Sequence, residues 1–121
     1  MDDLLVERVL VAVEQVPPGR VVCYGDIAEL VGIGPRQVGA VMAAWGENVT
    51  WWRVTNAAGD LPEHLRTEAF ERWAMEGILP KSNRRGCDIR RYRADLADLA
   101  AAWQQAVADL PGIGSQDVDP R

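Results

Sequence analysis

The sequence predicts a mainly α-helical chain with a small β-hairpin, arranged as a winged-helix-like helix-turn-helix domain. Three observations predict it. Apolar residues recur at helical spacing in segment after segment. Two of those segments are separated only by Gly32-Ile33-Gly34, which forces a tight turn between helices. One stretch of β-type composition, Trp51 to Asn56, is followed by the turn-like Ala57-Ala58-Gly59-Asp60, which reads as a short hairpin or wing.

The elements follow in order. Residues 4–16 read as a helix with Leu5, Val9, Val13 and Val16 as its stripe, widened by Leu10 and Ala12 and stopped by Pro17-Pro18-Gly19. Arg20 to Cys23 is an extended link into Tyr24. Ile27, Ala28, Leu30 and Val31 then suit a short buried helix. After the glycine turn, Pro35 opens a second helix at the position where its missing N–H costs nothing. In that helix Val38, Val41, Met42 and Trp45 share one apolar face. The opposite face carries Arg36, Gly39, Ala40 and Ala43, almost bare of bulk behind one long cation, so a groove wall can come close. Residues 63–76 return to helix, with Leu65, Ala69, Phe70 and Trp73 inward and Gly77 past the end. Residues 95–110 form a last amphipathic helix through Leu96, Leu99, Ala100, Trp103, Val107 and Leu110. It either packs on the domain or offers a partner surface, and burial is the expectation for such a stripe.

At 121 residues with 48% hydrophobic content, one compact domain is expected over residues 1–110, with a disordered tail over 111–121. No segment is apolar enough to span a membrane. The acidic start Met1-Asp2-Asp3 is no secretory signal, and Cys23 and Cys87 make no disulfide framework. A reduced cytoplasmic setting and a monomer are therefore expected. His64 is the only histidine, which argues against a metal site, and no cofactor is implied. The net charge of -5 hides an uneven distribution. Residues 20–93 hold 11 basic and 9 acidic side chains, so the excess acid lies in the terminal segments. Between Lys81 and Arg93, the arginines Arg84, Arg85, Arg90, Arg91 and Arg93 suit phosphate contact. The competing expectation is that they pair with acids such as Asp95 and Asp98.

A family resemblance joins these readings. GRVVCYGDIAELVG, PRQVGAVMAAW, WWRVTNAAGDLP and the later EGI resemble the DNA-binding domain of O6-alkylguanine-DNA alkyltransferases, over about residues 4–93. The helix over residues 95–110 is extra to it. Those repair proteins carry Pro-Cys-His-Arg-Val, whose cysteine accepts the alkyl group. Here Thr50-Trp51-Trp52-Arg53-Val54 stands in its place, with Trp51 at the acceptor and Trp52 at the activating histidine. The chain thus resembles the non-enzymatic, alkyltransferase-like branch. That branch usually keeps Pro-Trp-His-Arg, so Thr50 and Trp52 are further departures.

The resemblance implies roles. The counterpart of Tyr24 rotates the phosphate of the target nucleotide, and that of Arg36 fills the stack left by the flipped base. The helix bearing Arg36 sits in the minor groove. The implied DNA-contacting set is Tyr24, Pro35, Arg36, Gln37, Gly39, Ala40 and Ala43, and the implied lesion pocket is Trp51, Trp52, Arg53 and Val54. Either a flipped base stacks on the indoles or the indoles fill the old pocket. Glu76 matches the carboxylate that orients the family's histidine. With that partner gone, it suits an indole N–H if Trp52 points inward. The implied function is recognition of O6-alkylguanine in duplex DNA without alkyl transfer, flagging the site for nucleotide excision repair proteins. Two alternatives stand beside it: a helix-turn-helix DNA-binding or regulatory protein with a closed pocket, and a protein-interaction module.

Overall fold

The computed structural model describes residues 2–110; the tail over 111–121 lies outside the described residues. Helix α1 spans Asp3–Glu14 and is capped by the Asp2 carboxylate, which accepts the Leu4 N–H at 2.9 Å. Its buried stripe is Val6, Val9, Ala12 and Val13, so Val6 rather than Leu5 faces the core. Strand β1, Val22–Cys23, runs straight into α2, Tyr24–Val31. The start of α2 is held by Asp26, whose carboxylate accepts the Cys23 N–H at 3.0 Å. Gly32, at φ 89°, ends α2 in a left-handed conformation that side-chain-bearing residues rarely adopt. Helix α3, Pro35–Trp45, follows with proline in its first turn. The helix-turn-helix is therefore present as read.

Helices α1, α2 and α3 close a first core around Val9, Val13, Ile27, Val38 and Val41, joined by Val54 and Leu99. Trp45 does not join it. It is 52% exposed at the last position of α3, because the apolar stripe there overruns the core it faces. Periodicity set its direction correctly but not the depth of protein on that side.

The expected hairpin is also corrected. Strand β2, Val54–Thr55, pairs in parallel with β1, in the register Val22 to Val54 and Cys23 to Thr55. The segment after β2 cannot return as a partner strand. The Asn56 side chain accepts the N–H groups of Ala58 and Asp60, both at 2.9 Å, and curls the chain. Pro62, with no N–H to give, leads it toward a helix. Trp51–Arg53 is likewise a 3-10 turn rather than strand, because its side chains are drawn to separate partners described below.

Helix α4, Arg66–Glu76, packs Ala69 and Trp73 into a second core with Val21, Leu61, Ile78, Cys87 and Tyr92. A helical turn over Ile89–Tyr92, here α5, lies inside the basic stretch. Asp88 caps it, and Tyr92 turns inward while Arg90 and Arg91 face solvent. Helix α6, Leu96–Ala108, packs on α1. Leu99 is buried and the Trp103 indole N–H donates to the Arg8 carbonyl at 3.0 Å, so α6 belongs to the domain. The two cores are stitched at one seam: the Val21 N–H donates to Tyr92 O and the Ala94 N–H to Val21 O, both at 2.9 Å, beside the β1–β2 pair.

Candidate nucleic-acid interface

The outer face of α3 is what small residues make it. Pro35, Arg36, Gln37, Ala40 and Ala43 are exposed, and Gly39 is half-buried with no neighbour within 4 Å of where a Cβ would stand. The Gln37 side chain reaches back to accept the Gly34 N–H at 3.0 Å, so it also caps its own helix. Arg36 is exposed in the first turn of α3.

Tyr24 begins α2 half-buried, and burial pushes its phenol pKa up, so it stays neutral. It faces a cleft of about 520 Å³ whose other walls are Asn56, Asp60, Leu61, Pro62, Glu63, Arg66 and Arg85. The cleft sits between the cores: Tyr24 packs against the first, and Leu61 belongs to the second. Its rim is held by a close backbone crossing. The Cys87 N–H donates to Gly59 O at 2.9 Å, and a Cβ on Gly86 would lie 1.9 Å from that same oxygen. Lys81 pairs with Asp60 at 2.7 Å and donates to Ala58 O at 2.9 Å, fixing the loop from the other side.

Trp51, Trp52, Arg53 and Val54 do not line this cleft. Val54 is strand core at 2% exposure. Trp51 and Trp52 are half-buried against the second core, set edge to face with ring centres 5.7 Å apart. Trp52 points inward: its indole N–H donates to Glu76 Oε2 at 2.9 Å, and its carbonyl accepts the Trp73 indole N–H at 2.7 Å. The Arg72 guanidinium lies 4.6 Å from the Trp52 ring centre. Arg53 is buried and forks onto Glu76, through Nε at 3.1 Å and Nη2 at 2.7 Å, while Nη1 donates to Val16 O at 3.0 Å. The Gly19 N–H adds a fourth donor to Glu76 at 3.0 Å. Burial by itself would raise the Glu76 pKa. The hydrogen bonds from Arg53, Gly19 and Trp52 outweigh it and hold the carboxyl below its ordinary range.

Cys23 and Cys87 are buried, and burial pushes Cys87 up to about 11. Among the described residues, no cluster of histidine, cysteine or carboxylate could hold a metal ion, and no helix is long and apolar enough to cross a membrane.

The basic stretch divides. The Arg93 guanidinium pairs with Asp26, tying α5 to the start of α2. Arg84 lies 5.1 Å from the Phe70 ring centre, and Arg91 lies 5.1 Å from that of Tyr92. Arg90 is exposed, and Arg85 turns to the cleft. Among the described residues none of these arginines pairs with Asp95 or Asp98; Asp95 instead caps α6 by accepting the Asp98 N–H. Sequence reasoning missed Asn56, Arg66 and Arg85 as cleft residues. The available signal was Asn56 beside Gly59, which marks a tight loop after the strand.

The family model for the DNA-binding domain of 6-O-methylguanine DNA methyltransferase matches residues 5–77. The chain is 34% identical over 98 residues to a DNA base-flipping protein of Escherichia coli (strain K12), covering 76% of this chain and 75% of that protein. The DNA base-flipping protein of Shigella flexneri matches with the same figures. Among solved structures, S. pombe Atl1 in complex with damaged DNA containing O6-carboxymethylguanine aligns with TM-score 0.67 at 27% identity. That alignment covers 78% of this chain and 98% of the other. S. pombe ATL in complex with DNA aligns with TM-score 0.66 at 28% identity and the same coverage.

Proposed function

The chain belongs to the family of the 6-O-methylguanine DNA methyltransferase DNA-binding domain, as an alkyltransferase-like member, and from that premise we propose that it recognises O6-alkylated guanine in duplex DNA by flipping the nucleotide, without taking the alkyl group. One observation carries the reading. The cleft beside Tyr24 is open, and the two indoles that replace the reactive pair pack against the second core and are not among its walls. A pocket plugged by Trp51 and Trp52 would favour plain helix-turn-helix binding; an open one favours a base receptor.

The parts divide as follows. The bare face of α3, through Gly39, Ala40 and Ala43, lets the backbone approach the minor groove, with Pro35 and Gln37 shaping its first turn. Arg36 enters the stack in place of the extruded base, since guanidinium can stack and hydrogen-bond at once. Tyr24, at the start of α2, lines the cleft, where it turns the target phosphate. The exposed Arg84, Arg90 and Arg91 supply phosphate contacts, which position the protein without reading sequence. Trp51 and Trp52 pack on the second core that contains Leu61, and Arg53 and Val54 anchor their segment through Glu76 and strand β1. With both thiols buried, the protein marks the lesion as a monomer in the cytoplasm and hands it to nucleotide excision repair proteins.

The test is binding to matched duplexes with and without one O6-methylguanine, followed by mass measurement of the protein. The proposal expects tighter binding to the modified duplex and an unchanged protein mass. Equal affinity for both duplexes, or a methyl group gained on Cys23 or Cys87, refutes it.

A further inference from the structure

The cleft carries charge that base recognition alone does not require. Two guanidinium groups line it, from Arg66 and Arg85. Arg66 is aimed by its own loop, with Nε donating to Leu61 O at 2.8 Å. Arg85 is held at the backbone: its N–H donates to Asn83 Oδ1 at 2.9 Å, its carbonyl accepts the Leu61 N–H at 3.0 Å, and the Gly86 crossing follows it. Its side chain is free. Among the described residues no carboxylate pairs with it and no ring lies beneath it, unlike Arg84, Arg91 and Arg93. Of the two acids in the lining, Asp60 is already paired with Lys81, which leaves Glu63 against two arginines. Tyr24 adds a neutral phenol.

We propose that this cleft selects guanine adducts ending in a carboxylate over neutral adducts of the same size, with Arg85 as the specificity-determining residue. This rests on the lesion-binding reading above. A guanidinium matches a carboxylate through two parallel N–H donors, and such charge-assisted pairs are stronger than neutral ones.

The experiment uses the full chain and three duplexes that differ at one guanine: unmodified, O6-carboxymethyl, and O6-carbamoylmethyl, which is isosteric and uncharged. The wild-type protein is expected to bind the carboxymethyl duplex about 10-fold more tightly than the carbamoylmethyl one. Arg85→Gln brings that ratio close to one. Arg85→Lys, which keeps the charge and loses the fork, gives an intermediate ratio. A wild-type ratio of one, with both adducts still preferred over unmodified guanine, overturns this inference and leaves the lesion-binding reading standing. So does a ratio that survives Arg85→Gln. An Arg85→Gln protein that loses affinity equally on all three duplexes, with a shallower salt dependence, makes Arg85 a phosphate contact and overturns the inference as well. Equal wild-type binding to all three duplexes overturns both readings.

Discussion

Replacing Glu76 by glutamine should destabilise the fold by about 3 kcal/mol. The carboxylate takes four donors, from Gly19, Trp52 and two nitrogens of Arg53, and the side chains of the Arg53–Glu76 pair are each only 11% exposed. Glutamine keeps the volume but turns one acceptor into an N–H₂ that faces other donors. It leaves the Arg53 charge with no counter-charge, and with only one amide oxygen and Val16 O to accept its N–H groups. Removing one partner of a buried ion pair costs about 3–5 kcal/mol, and the residual exposure puts this case at the lower end. For a chain of this size the melting temperature should fall by about 10 °C. The pH dependence gives a second reading. The folded-state pKa of Glu76 lies below its ordinary value of 4.5. Its contribution is therefore complete above that value and disappears as pH falls through the lower folded-state pKa. The stability gap between wild type and Glu76→Gln should close in acid. Urea titrations of both proteins at pH 7 and pH 3, followed by circular dichroism, measure it. A loss under about 1 kcal/mol at pH 7, or a gap that is the same at both pH values, would refute the view that this carboxylate anchors the second core.

Two further changes probe the surface and the cleft rim. Arg36→Ala should weaken binding to a lesion duplex about 10-fold and to undamaged duplex about twofold, because a finger matters only when a base leaves the stack. Fluorescence anisotropy on the two duplexes reports the ratio, and equal losses would make Arg36 an ordinary phosphate contact. Gly86→Ala should cost more than about 3 kcal/mol or prevent folding, since the added Cβ would overlap Gly59 O. A soluble Gly86→Ala protein with an unchanged melting temperature would disprove that crossing.

Much of this fold was legible from periodicity. Helices α1 to α4 and α6 stand where their apolar spacing put them, and Gly32 and Pro35 marked the turn between α2 and α3. The bond from Trp52 to Glu76 was legible as a condition, since one carboxylate had lost its histidine and one indole stood in reach. Three things were not. The partner of β2 is β1, far upstream, and local composition says only that a segment is extended, never with what it pairs. Trp45 lies on the correct side of α3 but beyond the end of the core. The cleft draws Tyr24, Asn56, Arg66 and Arg85 from separate segments, and none of them has a neighbour in the sequence that announces the meeting.

The seam at Val21 has a consequence for how the protein comes into being. β1 finds its partner at Val54 and Thr55, but the backbone of Val21 is satisfied only by Tyr92 and Ala94. During synthesis the first three helices emerge before the rest, and their mutual contacts need nothing beyond residue 45. The second core lacks Cys87 and Tyr92 until that last segment leaves the ribosome, and with them the rim on which Arg85 sits. The DNA-facing helix is thus assembled early and the cleft late. A truncated product ending before residue 85 would present the former without Arg85 and the Gly86 crossing at the rim of the latter.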